Sequence, residues 1–293
     1  MVALQKSISV LFLLVSAVPT SAFAKDKEPE RLKPSTKWVV SYEKESCRLY
    51  RRFESGDKES ELFFHFYEGS DFFGLTLAGR RFRDFGASDK VKLQFGPVEG
   101  EQVVFFHPGT VRDTIPAYII SSINYSGDDD RVSIPIQAGQ QEARREAITE
   151  LRVGRPLRSP VVFELGSMAK PLAAVQQCSD DMIASWGFDP KIRNTLQRVP
   201  APTGNPGSWM RSQDYPRDML AERQPANVNF RLNVDEGGNV TDCFIQESTK
   251  PKEFDEAVCN AMKRRGKFLP ALDAEGKAVR SFWRNTILFR LAS

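Results

Sequence analysis

The residues of this 293-residue chain that could do chemistry are few. Four cysteines, Cys47, Cys178, Cys243 and Cys259, could pair, ligate or react. Two histidines, His65 and His107, could shuttle protons. Ser167-Met168-Ala169-Lys170 has the S-x-x-K spacing of an acyl-transfer nucleophile, and Asp128-Asp129-Asp130 and Asp180-Asp181 could attract a cation. Each motif lacks the company its chemistry needs. S-x-x-K catalysis requires S-D-N and K-T-G elements far along the chain, but Ser179-Asp180 follows too closely and no K-T-G exists. Calcium loops space their oxygen ligands and usually carry a glycine, whereas these aspartates are contiguous. No C-x-x-C pair stands near a histidine, which argues against structural zinc. Neither histidine neighbours a serine or cysteine in a way that suggests a triad: His65 sits in an aromatic strand and His107 precedes a Pro108-Gly109 turn. The residues therefore predict a binding protein without catalytic, metal or cofactor site.

The cysteines read differently once the compartment is considered. Residues 1–24 have the form of a secretory leader, with Lys6, an apolar run from Ile8 to Val18 and an Ala22-Phe23-Ala24 cleavage site. The run is short for a membrane anchor, which needs roughly 20 apolar residues. The expectation is export, cleavage after Ala24, a periplasmic protein, and no membrane span after cleavage. An even cysteine count in an oxidising compartment reads as two disulfides, with three pairings open. With 41 basic and 38 acidic residues the charge is nearly balanced, which disfavours nucleic acid as a partner.

The elements that must position these groups are mostly short strands. Cys47, Leu49 and Phe53 alternate with Arg48, Tyr50 and Arg52, and Leu62, Phe64 and Phe66 alternate with Phe63, His65 and Tyr67. Phe72 to Leu77, Val91 to Phe95, Gln102 to Phe106, Ala117 to Ile120 and Val132 to Ile136 continue the pattern, predicting an antiparallel sandwich or open barrel. Two helices follow. Gln140 to Leu151 is charged. In Pro171 to Trp186, Val175, Cys178, Met182 and Trp186 share one apolar face. Cys178 then points at the core and Cys47 shares a strand face with Leu49, so a Cys47–Cys178 bridge would tie the first strands to that helix, with two buried free thiols as the rival reading. The predicted organisation is a lead-in over residues 25–37, a β-rich domain over 38–186, a Pro/Gly connector over 187–213, and a small domain over 214–293.

In that last domain, Arg217 to Arg223 is helical. Phe230, Leu232 and Val234 alternate with Asn229, Arg231 and Asn233, Gly237-Gly238-Asn239 makes a hairpin turn, and Val240 to Glu247 returns. Phe254, Val258, Ala261 and Met262 mark an amphipathic helix, and Val279 to Leu291 is a final strand. This order resembles the C-terminal domain of the TonB family of energy transducers. The matching points are Tyr215-Pro216, Val228 to Val234, Gly238-Asn239-Val240, Ser248, Phe254-Asp255, Phe268, Pro270-Ala271 and Gly276. The fold class expected is α+β: a mostly antiparallel β domain with helices, then a small TonB-like sheet packed by a helix. The resemblance implies that the helix carrying Cys259 packs across the sheet carrying Cys243, so that these two could pair. It also implies an edge-strand partner site along Arg280, Phe282, Arg284, Thr286, Leu288 and Arg290, for an envelope protein or peptide, with an outer-membrane receptor as one candidate. A proline at Ile287 or Phe289 would remove a donor that such a partner needs, if that N–H points outward. A TonB transducer, however, carries an inner-membrane anchor and a long Pro-rich segment, where this chain has a leader and a β-rich domain. The alternative is an envelope or peptidoglycan-associated scaffold whose β domain does the binding; an enzyme is the least expected reading.

Overall fold

The computed structural model describes residues 28–54, 56–67, 72–83, 86, 88–97, 99–126, 143, 146–248 and 251–290. The leader with its cleavage site, Asp128 to Asp130, the strand expected at Val132 to Ile136 and much of the helix expected at Gln140 to Leu151 lie outside the described residues.

The first part is built from β1 (Glu30–Leu32), β2 (Val39–Tyr42), β3 (Cys47–Phe53), β4 (Ser60–Phe66), β5 (Phe73–Gly79), β6 (Lys90–Phe95), β7 (Gln102–Phe105), β8 (His107–Val111), β9 (Ile115–Ile123), β10 (Glu150–Val153) and β11 (Val161–Glu164). They form a six-stranded antiparallel sheet of order β2-β3-β4-β5-β9-β8 and a five-stranded sheet of order β1-β11-β10-β6-β7. Alternation explains the packing. Leu49, Phe53, Leu62, Phe64, Leu75 and Leu77 point from the six-stranded sheet into a core shared with Leu93, Phe95, Leu151 and Phe163 of the other sheet. Helix α1 (Ala169–Ser185) closes this core with Val175, Cys178 and Met182. The Cys47–Cys178 disulfide joins β3 to α1 with Cα atoms 6.1 Å apart.

Several elements differ from the sequence reading. The lead-in is structured from Glu30: β1 pairs in parallel with β11. Leu32 is fully buried there, and Arg31 bridges Glu150 and Glu164. One buried apolar residue and a two-carboxylate clamp hold what its charge and prolines present as a tail. His107 is in strand β8, not a turn, because Pro108 sits on the edge of the sheet, where its missing N–H is tolerated. Glu150 and Leu151 belong to strand β10, not to a helix.

The second part comprises α2 (Pro190–Asn194), β12 (Ala201–Pro202), α3 (Arg217–Ala221), β13 (Ala226–Val234), β14 (Val240–Ser248), α4 (Lys252–Arg265), β15 (Phe268–Leu269), β16 (Ala271–Leu272), β17 (Ala278–Val279) and β18 (Ser281–Phe289). A three-stranded antiparallel sheet of order β14-β13-β18 buries Val228, Phe230 and Leu232 against Phe254, Val258, Ala261 and Met262 of α4. The Cys243–Cys259 disulfide staples β14 to α4 with Cα atoms 5.5 Å apart. The hairpin turn depends on one glycine: Gly238 has φ +80°, and a Cβ there would stand 1.9 Å from the Phe268 carbonyl oxygen. Asp235 ties the turn by accepting from the Gly237 and Asn239 amides, and those bonds lower its pKa, the Asn239 amide most.

The 187–213 segment is laid against the second part. β12 pairs with β15, and Arg198 donates to the Pro270 carbonyl from Nε and Nη2 at 3.1 and 2.9 Å. Trp209 enters the apolar core beside Phe268 and Trp283. A composition rich in proline and glycine reads as a connector, but one buried indole and one arginine fork suffice to dock it.

Candidate functional site

The three-stranded sheet has two faces. One packs on α4. The other carries Asn227, Asn229, Arg231 and Asn233 of β13 and the even-numbered residues of β18, a polar pattern that by itself describes a solvent face. It is covered by the β-rich part. Arg231 is 1% exposed. Its guanidinium lies 3.9 Å from the Trp186 ring and 4.3 Å from the Phe244 ring. Nε donates to Glu45 at 3.3 Å and Nη1 to Asn233 at 2.6 Å. Desolvation lowers the Arg231 pKa and Glu45 partly restores it. Gln246 donates to the Glu45 carbonyl at 3.3 Å. This is a buried ion pair with an aromatic lid on each side, at the meeting of the two parts.

The residues read from sequence as a partner-binding row lie on this covered face. Phe282 packs between Trp186 and Phe188, with ring centroids 5.2 and 5.3 Å away. Arg280 donates to the Gly187 carbonyl and lies over Phe188. Arg284 donates to the Phe72 carbonyl at 3.1 Å and lies over Tyr67. Thr286 donates to Asn229. Four of the six side chains are thus engaged within the chain, while Leu288 and Arg290 line an open cleft.

The β18 backbone is a separate matter. β18 is an outer strand of its sheet. The Thr286 N–H is held by the neighbouring Asn285 Oδ1 at 2.8 Å, which places it on the side away from β13. Amides alternate sides along an antiparallel strand. The even-numbered amides therefore face outward, and those of Ile287 and Phe289 face the β13 ladder. The expectation that a proline at Ile287 or Phe289 would probe an outward donor is corrected by this register.

The cleft has a volume of about 540 Å³ and lies between the free face of the six-stranded sheet and the ends of β13, β14 and β18. Strand register orders its floor. Arg48, His65 and Gly74 form one cross-strand row; Phe63, Thr76, Ile119 and His107 form the next. Gly74 keeps the first row low, since a Cβ there would stand 3.3 Å from the His65 Cβ. His65 Nε2 is 3.2 Å from Thr76 Oγ1. Burial, and secondarily the Arg48 charge, push the His65 pKa down to about 3, so the ring is neutral. From the roof, Tyr67 donates to Glu247 Oε2, and Asn229 Nδ2 approaches the same oxygen at 3.5 Å. Burial raises the Glu247 pKa against the opposing pull of Arg48. Asn227 donates to Ser121 at 2.9 Å.

Glu45, Tyr67, Arg231 and Glu247 were not legible as site residues, because only the docking of the two parts brings them together. Ser167 accepts from the Ala169 N–H at 3.4 Å and thus serves the start of α1. Among the described residues no three His, Cys, Asp or Glu side chains group as a metal site, and no helix is long and apolar enough to cross a membrane.

This small sheet with its crossing helix defines the class of the second part. Residues 211–291 match the family model of the Gram-negative bacterial TonB protein C-terminal, and this stretch is a TonB C-terminal-like domain. The match leaves the β-rich part outside it. No curated protein matches the chain. The domain relates the chain to the TonB-like proteins of the envelope and its transport systems, a family that is in general not enzymatic.

Proposed function

We propose that the protein is a non-enzymatic periplasmic binding protein whose TonB-like domain takes an extended segment of an envelope protein, such as an outer-membrane receptor, by strand addition to β18. The observation that carries this reading is the position of β18 at the sheet edge, with the Thr286 amide turned away from β13 and satisfied only by its neighbour Asn285. Strand addition draws affinity from main-chain hydrogen bonds and specificity from alternate side chains. With Arg280 held by Gly187 and Phe188, Phe282 by Trp186 and Phe188, and Arg284 by the Phe72 carbonyl, the side chains left to a partner are Leu288 and Arg290 at the end of the strand. The β-rich part serves as the rigid support that fixes the sheet from behind.

The test is a pair of proline variants. Leu288→Pro removes an outward donor and leaves the β13 ladder intact, so partner capture from envelope extract should be lost while circular dichroism is unchanged. Ile287→Pro removes a ladder bond and should destabilise the fold itself. Retained capture by folded Leu288→Pro would refute strand addition at this edge and favour the scaffold reading, in which the β-rich part does the binding.

A further inference from the structure

We propose that the cleft between the six-stranded sheet and the TonB-like domain binds a small amphipathic carboxylate, with its head on Arg48 and its apolar body against Phe63, Ile119 and Leu288. At about 540 Å³ the cleft falls within the range of small-molecule sites, roughly 300–1,000 Å³. It is also built at the contact of two structural units, where such sites concentrate. This inference rests on the sheet floor of the β-rich part and not on the β18 backbone, and Leu288 is the one side chain that it shares with strand addition.

The two floor rows separate the ligand's two ends. Phe63 and Ile119 are the apolar members of their row, and Ala226, Leu288 and Phe289 add apolar lining from the TonB-like domain. Leu288 is 49% exposed and offers apolar surface to the cleft. The row of Arg48 and His65 is polar. The charged groups lining the cleft are Arg48, Arg290 and Glu247, with His65 neutral and His107 at the rim. Glu247 feels the Arg48 charge but makes no ion pair with it among the described residues; its Oε2 accepts from Tyr67 and is approached by Asn229. Among the described residues Arg48 has one ion pair, a long contact to Glu43 at 3.7 Å, with both side chains over a third exposed, a geometry worth little. Its Nε is buried and meets no acceptor among the described residues. A carboxylate head would supply the acceptor pair that a guanidinium fork matches. A cationic head would meet two arginines, and a neutral head would leave Arg48 unmatched.

The test uses the full mature chain and three probes of equal chain length: decanoate, decanol and decyltrimethylammonium, each titrated calorimetrically below its micellar concentration at neutral pH. The expected result is saturable one-to-one binding of decanoate, with decanol weaker by about tenfold or more and no binding of the cation. Arg48→Met, which keeps the length of the side chain, should bring decanoate down to the level of decanol and leave decanol unchanged. Equal binding of all three probes by the wild-type protein, or none by any, overturns the proposal without recourse to a variant. A folded Arg48→Met that binds decanoate as tightly as wild type overturns the role of Arg48. Strand addition to β18 is read separately from the Leu288→Pro capture experiment, so either proposal can fail alone.

Discussion

Arg231 and Glu45 illustrate how a side chain that looks solvated in sequence can be buried in the fold. Removing one partner of a buried ion pair strands the other charge, typically at about 3–5 kcal/mol, whereas replacing both can be nearly neutral. Arg231→Met should therefore destabilise the protein by about that amount in urea melts, Glu45→Gln by less, and the double variant should recover much of the loss. Strictly additive losses would show that the two residues do not act as a pair. His65 supplies a second expectation at this scale. The unfolded chain binds the imidazole proton below about pH 6.5, and the folded chain does not until about pH 3. The unfolded state binds more protons in that window, so stability is complete above pH 6.5 and falls as pH drops toward 3. The loss is about 1.4 kcal/mol for each tenfold difference in proton affinity. Glu247, with its raised pKa, acts with the opposite sign, its penalty growing as pH rises past the unfolded carboxyl value. His65→Gln keeps a hydrogen-bonding group for Thr76 and does not titrate, so the acid limb of its stability curve should be flatter than wild type between pH 6.5 and 4. A superimposable limb would mean that the imidazole is not kept neutral in the fold.

At the level of elements, legibility followed periodicity. The alternation in β3, β4 and β13 and the three-four spacing in α1 and α4 each bury one side chain set in one core, and a single sequence records that directly. Short elements held by long-range partners left no such signal: β1 is three residues whose reason to be a strand is β11, and β12 is two residues whose reason is β15. The same limit applied to the site. The alternation of β13 puts Asn229, Arg231 and Asn233 on one face, but nothing local says that the face is covered. The Cys243–Cys259 staple is an element-scale device, because it closes a span of 16 residues between β14 and α4. Its chain-entropy contribution is about 3 kcal/mol, which is large for so small a core. The Cys243→Ser/Cys259→Ser variant should lower the unfolding free energy of the chain in urea melts by about that amount, while leaving the Cys47–Cys178 bridge detectable by non-reducing peptide mapping. An unchanged free energy would show that the sheet–helix packing is self-sufficient.

For the whole molecule, the decisive fact is that the polar face of the TonB-like sheet is closed by the β-rich part. Trp186 and Phe188, just past α1, clasp Phe282 of β18, while Glu45, in the loop between β2 and β3, reaches Arg231 of β13. The Cys47–Cys178 bridge fixes α1 to β3, so both sets of contacts issue from one covalently tied unit. Contacts of this kind couple the two parts thermodynamically: neither can lose its fold without exposing a buried phenylalanine and a buried ion pair. The wild-type chain should accordingly unfold in one calorimetric transition, with calorimetric and van't Hoff enthalpies in agreement. Phe282→Ala removes the central aromatic contact, at a cost of about 3–5 kcal/mol for a buried ring, and that loss falls on the contact between the parts and not on the α4 core. Two transitions should then separate, with the TonB-like domain melting first, because its core is smaller and its sheet has lost its backing. A single transition in Phe282→Ala, shifted as a whole, would mean that the Arg231–Glu45 pair and the remaining contacts of β18 suffice to hold the halves together.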